Sequence, residues 1–88
     1  MIKKITTYMA RKRRNKTTRT IRVSTVRGPG EPYETMVFEG DSGGVQPVYD
    51  RGGEYCERGS QPTSLHQAAV DRFWYKGFRN VRTEFVVE

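Results

Sequence analysis

The sequence has one cysteine, Cys56, and one histidine, His66. It can therefore form no internal disulfide and complete no structural zinc site of the Cys/His type. Long apolar runs are also absent. None exceeds three residues, as in Met36-Val37-Phe38 or Phe73-Trp74-Tyr75, whereas a membrane span needs about 20. Lys3 and Lys4 are followed by no apolar stretch, so export through an N-terminal signal is not expected. A single thiol suits a reducing, cytoplasmic setting. Neither G-x-x-x-x-G-K-[ST] nor G-x-G-x-x-G is present, and no cofactor is expected. Asn15-Lys16-Thr17 matches a glycosylation acceptor and is read as chance. The 88 residues suffice for one small domain, too small for the usual nucleotide-binding enzymes, barrels or metalloproteases. With 34% apolar and 30% charged residues, the chain is less oily than average, yet too patterned to be disordered throughout.

Acidic residues are missing from the first third. Residues 1–27 carry ten basic side chains and no acid, residues 28–60 carry seven acids against Arg51 and Arg58, and residues 61–88 are nearly balanced. The net charge of +6 thus hides a basic head and an acidic middle, an asymmetry that invites a functional explanation.

Residues 4–10 are rich in β-branched and aromatic side chains, which favours a strand, although Ile2, Ile5 and Met9 also fit one helical face. Arg11-Lys12-Arg13-Arg14-Asn15-Lys16 contains no apolar residue and reads as the connection of a basic hairpin spanning residues 1–27. Residues 17–27 alternate Ile21, Val23 and Thr25 with Thr20, Arg22, Ser24 and Val26, the pattern of a second strand. Gly28-Pro29-Gly30-Glu31-Pro32 is a turn. Residues 33–39 form a third strand with apolar residues on both faces, so it is expected to be central and covered on both sides.

Residues 40–61 are acidic, Gly-rich and without a clean period. They are expected to form a short hairpin from residues 45–49 and 54–56, or a functional loop. Ser64-Leu65-His66-Gln67 fits an S-x-x-Q capping box, and Leu65, Ala69 and Phe73 mark the buried face of a helix over residues 64–76. Gly77 suits a left-handed cap, with Phe78 returning onto Phe73. Residues 81–87 close the chain as a strand. The expected fold is α+β: a small antiparallel sheet in the order β-β-β-loop-α-β, with one helix across one face. Its expected core is Leu65, Ala69, Phe73, Phe85, Val87, Ile21, Val23 and Val37. The other face keeps Met36, Phe38 and Val86, which a second copy would cover.

The basic run is the strongest functional signal. Arg11, Lys12, Arg13, Arg14 and Lys16 are the candidate phosphate contacts, with Arg19 and Arg22 extending the patch. Arg22 points to one strand face, Arg19 and Arg27 to the other. Tyr8 and Tyr33 offer rings for stacking, while Trp74 is expected to be core. Gly40-Asp41-Ser42-Gly43-Gly44 matches the short string around the nucleophile of chymotrypsin-like proteases. That chemistry needs a triad on two β-barrels of about 200 residues together, so a Gly-rich turn is expected instead. Cys56 sits between Glu54 and Glu57, which disfavour its thiolate.

These features lead to the expectation of a non-catalytic nucleic-acid-binding protein, RNA or single-stranded nucleic acid before duplex DNA, because no helix carries a dense basic face for a major groove. A homodimer is expected, with no membrane partner. Two other readings compete. One is a protein-binding antagonist or accessory factor, of the compact kind that viruses and plasmids encode. The other is a small ribonuclease using His66 as acid–base, with Arg72, Lys76 or Glu84 as its partner.

Overall fold

The structure is a computed structural model and describes residues 1–12, 17–40 and 44–88. Three strands, β1 (Ile2–Lys12), β2 (Thr18–Arg27) and β3 (Tyr33–Glu39), run antiparallel as a meander. Their alternation decides which face is buried. Ile5, Thr7 and Met9 of β1, Ile21, Val23 and Thr25 of β2, and Tyr33, Thr35 and Val37 of β3 all turn to one side and are buried. The hairpin expected from the basic run is present, with Lys12 facing Thr18 where the strands leave the connection.

The Gly-rich middle is more structured than expected. It contributes β4 (Gln46–Pro47), β5 (Tyr49–Asp50), β6 (Gly53–Glu54) and β7 (Cys56–Gly59). β5 and β6 pair across Arg51 and Gly52, both at positive φ, 55° and 85°, which matches the twist of a two-residue hairpin. β4 and β7 both pair with β3, one at each end of its outer edge. A helix, α1 (Pro62–Tyr75), and a last strand, β8 (Arg79–Val87), complete the chain. The main sheet has the order β4-β3-β2-β1-β8, with β7 also on β3. Helix α1 lies chiefly over β2, with β1 and β3 on either side. The fold is therefore the expected α+β arrangement of one helix across an antiparallel sheet. The helix is not long and apolar enough to cross a membrane.

The helix ends differ in how well the sequence foretold them. The expected capping box at Ser64 and Gln67 does not form. Pro62 occupies the first turn and Gln61 is the N-cap, without a side-chain hydrogen bond. Proline's fixed φ starts the helix before Ser64, which then lies inside the first turn, and the Gln67 amide instead donates to Asp71 at 2.8 Å. The C-terminus forms as expected. The Phe78 amide donates to the Phe73 carbonyl and the Gly77 amide to the Trp74 carbonyl, each at 3.0 Å, with Gly77 at φ 98°. Phe78 packs edge-on against Phe73 with ring centroids 6.1 Å apart. A Cβ at Gly77 would also stand 3.1 Å from Arg11 Cδ. Gly77→Ala should therefore lower the unfolding free energy by about 1–2 kcal/mol, read as a lower urea midpoint at unchanged slope.

Met9, Ile21, Val23, Val37, Val48, Ala69, Val70, Phe73 and Phe78 form the core cluster, with Tyr55 against its side. Leu65 is only half-buried, and Phe85 and Val87 are exposed, which corrects their expected core placement. β8 lies one strand beyond the ground that a single helix can cover. Trp74 is likewise exposed rather than core, with the Arg79 guanidinium 3.9 Å from its ring centroid. β3 is flanked on both edges but covered on one face only, so Met36 and Phe38 are partly exposed.

Under the helix, His66 joins a line of hydroxyls. Its Nε2 lies 2.7 Å from Thr7 Oγ1 and its Nδ1 2.7 Å from Thr25 Oγ1. Thr7 continues to Thr83 at 3.0 Å and Thr25 to Thr35 at 2.6 Å. A neutral imidazole has one donor and one acceptor, so the line can be hydrogen-bonded in either direction. It ties α1 to four strands without leaving a polar group alone in the core.

Candidate nucleic-acid interface

The sheet face opposite α1 is uncovered, and the strand registers decide what it shows. Tyr8 faces Arg22 on one side and Arg82 on the other, and Arg22 faces Phe38. The row across β8, β1, β2 and β3 therefore reads Arg82, Tyr8, Arg22, Phe38, with cation and ring alternating. The Arg82 guanidinium already lies 4.2 Å from the Tyr8 ring centroid, a cation–π distance. The next row is Glu84, Thr6, Ser24, Met36.

Two depressions flank the Arg82–Tyr8–Arg22 row. One, of about 240 Å³, is lined by Lys4, Thr6, Ser24, Phe38, Glu84 and Val86 besides Tyr8 and Arg22. The other, of about 470 Å³, is lined by Thr20, Gly40, Val45 and Val81 besides Tyr8, Arg22 and Arg82. Gly40, at φ 113°, narrows one end: a Cβ there would meet the Gly44 carbonyl oxygen. Among the described residues, the Arg22 Nε is buried and has no hydrogen-bond partner. A buried donor left alone costs about 1–3 kcal/mol, and Arg22 stands in register between Tyr8 and Phe38.

The basic hairpin is divided. Arg11 Nη1 donates to the Lys76 carbonyl at 3.0 Å, and its guanidinium lies 4.8 Å from the Phe78 ring centroid. Arg19 makes a two-pronged contact with Glu39, both distances 2.7 Å, and lies 5.7 Å from the same ring. These two arginines brace the base of the hairpin against the end of α1. Lys12 is exposed. Arg13, Arg14 and Lys16 lie outside the described residues, as do Asp41, Ser42 and Gly43 of the protease-like string. Of the described sequence-chosen residues, Arg22 lies on the open face beside the rings, and Lys12 falls on the same face two pairs further along β1. Tyr33 is not available for stacking, because it is buried and its hydroxyl donates to the Ile2 carbonyl at 2.5 Å.

The acidic middle is also engaged. Arg58 reaches Glu34 at 2.9 Å. Asp50 accepts from Arg72 and, at 3.0 Å, from Lys76. The Arg72 contact outweighs the opposing effect of burial, and with Lys76 it holds the Asp50 carboxyl at about 2. His66, the residue considered for acid–base work, is buried with both ring nitrogens occupied. Burial holds its pKa down at about 4. It lies on the buried side of α1, not on the open face of the sheet. Among the described residues no group of His, Cys, Asp and Glu could hold a metal ion.

Sequence reasoning missed Phe38 as a ring for stacking and Arg82 as a partner for Tyr8. The signal was present in the alternation: Tyr8, Arg22, Phe38 and Arg82 all fall on the positions opposite the buried set. Only the registers place them in one row. No family model matches the chain, and no curated protein or solved structure shows significant similarity to it.

Proposed function

We propose that the protein is a non-catalytic nucleic-acid-binding protein that takes RNA or other single-stranded nucleic acid on the open face of its sheet. The observation that carries this reading is the row of alternating charge and aromatic ring formed by Arg82, Tyr8, Arg22 and Phe38. Unpaired bases stack on rings, and guanidinium groups hold phosphates or stack in turn. A broad, uncovered sheet suits splayed bases better than a duplex groove, and α1 has no dense basic face for a major groove. Lys12 and the hairpin residues Arg13, Arg14 and Lys16 extend the positive potential beyond the sheet. Arg11 and Arg19 serve the hairpin's own architecture in this reading. The chain acts in the cytoplasm, where the exposed thiol of Cys56 stays reduced, and as a homodimer.

Purification without nuclease, followed by the ratio of absorbance at 260 and 280 nm, should reveal co-purifying nucleic acid. A fluorescent single-stranded oligonucleotide titrated into the stripped protein should then show affinity that falls steeply with salt. Lys12→Ala combined with Arg22→Ala should lower the log–log salt slope by about 1.4, because each phosphate contact on a single strand contributes about 0.7. Salt-insensitive affinity, or none, overturns the reading.

A further inference from the structure

The two edges of the main sheet are unlike. One is closed by the short strands β4 and β7, two and four residues long. The other is β8, nine residues long, paired with β1 on its inner side and with no strand on its outer side among the described residues. Every residue of β8 is exposed, including Phe85 and Val87 at 60% and 63%. Long open edges are usually blunted by proline, lysine or bulges. β8 has neither proline nor lysine. Its pairing with β1 shifts register near both ends, between Ile2 and Lys4 and between Tyr8 and Met9, the second leaving Val81 as an extra residue.

We propose that β8 is a self-association edge: it pairs antiparallel with β8 of a second copy about a two-fold axis through Thr83, and the two sheets become one. The proposal deepens the homodimer of the function proposed above and rests on that part of it alone. Nucleic acid plays no part in the argument.

The register follows from symmetry and charge. In a two-fold pairing of one edge with itself, residue i faces j and j faces i. Facing residues share a sheet face, so the axis passes through a residue. Thr83 is the midpoint of Arg79–Val87, so an axis there centres the pairing on the strand. It sets Arg82 opposite Glu84 of the partner subunit, twice. An axis through Arg82 would set Arg82 against itself, and one through Glu84 would do the same for Glu84, and facing like charges repel. Within one copy Arg82 Nε already lies 3.0 Å from Glu84 Oε1, and both side chains are exposed. Pairing extends this contact to four alternating charges across the axis. Because the axis is normal to the sheet, both open faces point the same way, and the rows ending in Arg82 lie on one surface.

The test is charge exchange, read by light scattering on nucleic-acid-free protein. Wild type should be a dimer. Arg82→Glu alone and Glu84→Arg alone should each be monomers, because each sets like charges across the axis. An equimolar mixture of the two should recover the dimer mass, since each now faces its opposite. A wild-type monomer at concentrations up to about 0.1 mM, or a mixture that stays monomeric, overturns the proposal. In a Cys56→Ser background, Thr83→Cys should form a disulfide-linked dimer under mild oxidation. If the second copy covers the open face instead, Ser24→Cys cross-links, Thr83→Cys does not, and the edge is refuted. Oligonucleotide titration of the wild-type protein separates the two readings. A dimer without affinity sinks nucleic-acid binding alone, and a monomer with affinity sinks the edge alone.

Discussion

Lowering the pH from 6.5 to 4 should reduce the unfolding free energy by up to about 3 kcal/mol through His66 alone. The imidazole is buried between α1 and the sheet, and burial brings its pKa from 6.5 down to about 4. Between those values the unfolded chain takes up a proton that the folded chain refuses, so stability rises with pH and falls on acidification. The hydrogen bonds do not themselves oppose protonation. An imidazolium would donate to both Thr7 and Thr25, which could pass their own protons to Thr83 and Thr35. The penalty is the burial of the charge. For a domain whose total stability is about 5–10 kcal/mol, this is a large fraction.

Urea unfolding at half-unit pH steps measures the effect. In His66→Gln, which keeps a donor and an acceptor but does not titrate, the decline between pH 6.5 and 4 should vanish. A further loss below pH 3.8 should remain in both proteins, because it belongs to Asp50. That carboxylate is stabilised by Arg72 and Lys76 down to about pH 2, and protonating it removes the tie between the β5–β6 hairpin and α1. An unchanged slope in His66→Gln would show that the burial account of the imidazole is wrong.

Removing both rings from the open face should weaken single-strand binding at least about 30-fold. Stacking of a base on an aromatic side chain contributes about 1–3 kcal/mol, so Tyr8→Ala with Phe38→Ala removes about 2 kcal/mol at the low end. Both rings are partly buried beside Arg22, so the double variant must first be shown to keep its far-UV spectrum and a cooperative melt. Tyr8→Phe supplies the control: it keeps the ring and should keep the affinity. Substituting Arg11 should act differently. Its guanidinium braces the end of α1, so Arg11→Ala should lower the melting temperature and leave the salt slope unchanged. If Arg11→Ala reduced the slope as much as Lys12→Ala with Arg22→Ala, the hairpin base rather than the sheet would be the binding surface.

Local rules carried much of the architecture. Period-two alternation marked β2, β3 and β8 as strands and the buried face of β2, and Gly77 with Phe78 marked the end of the helix. Each of those signals is complete within a few residues. The failures share a cause. Phe85 and Val87 look like core positions because they alternate as Val23 and Val37 do. Whether an alternating strand is covered depends on how many strands one 14-residue helix can span. Ser64 matches a cap within its own four residues, but Pro62, two residues earlier, starts the helix first.

Pattern and propensity act over neighbouring residues, so the fold class, the basic hairpin and the place of Arg22 opposite the buried set are legible in the residues alone. Tertiary structure alone decided that Arg11 and Arg19 are bound to the chain's own groups. It also decided that His66 is enclosed by threonines, and that Arg82, Tyr8, Arg22 and Phe38 share one row. Those outcomes depend on which strands lie side by side and in what register, and that is set by where the helix and the hairpin come together in space.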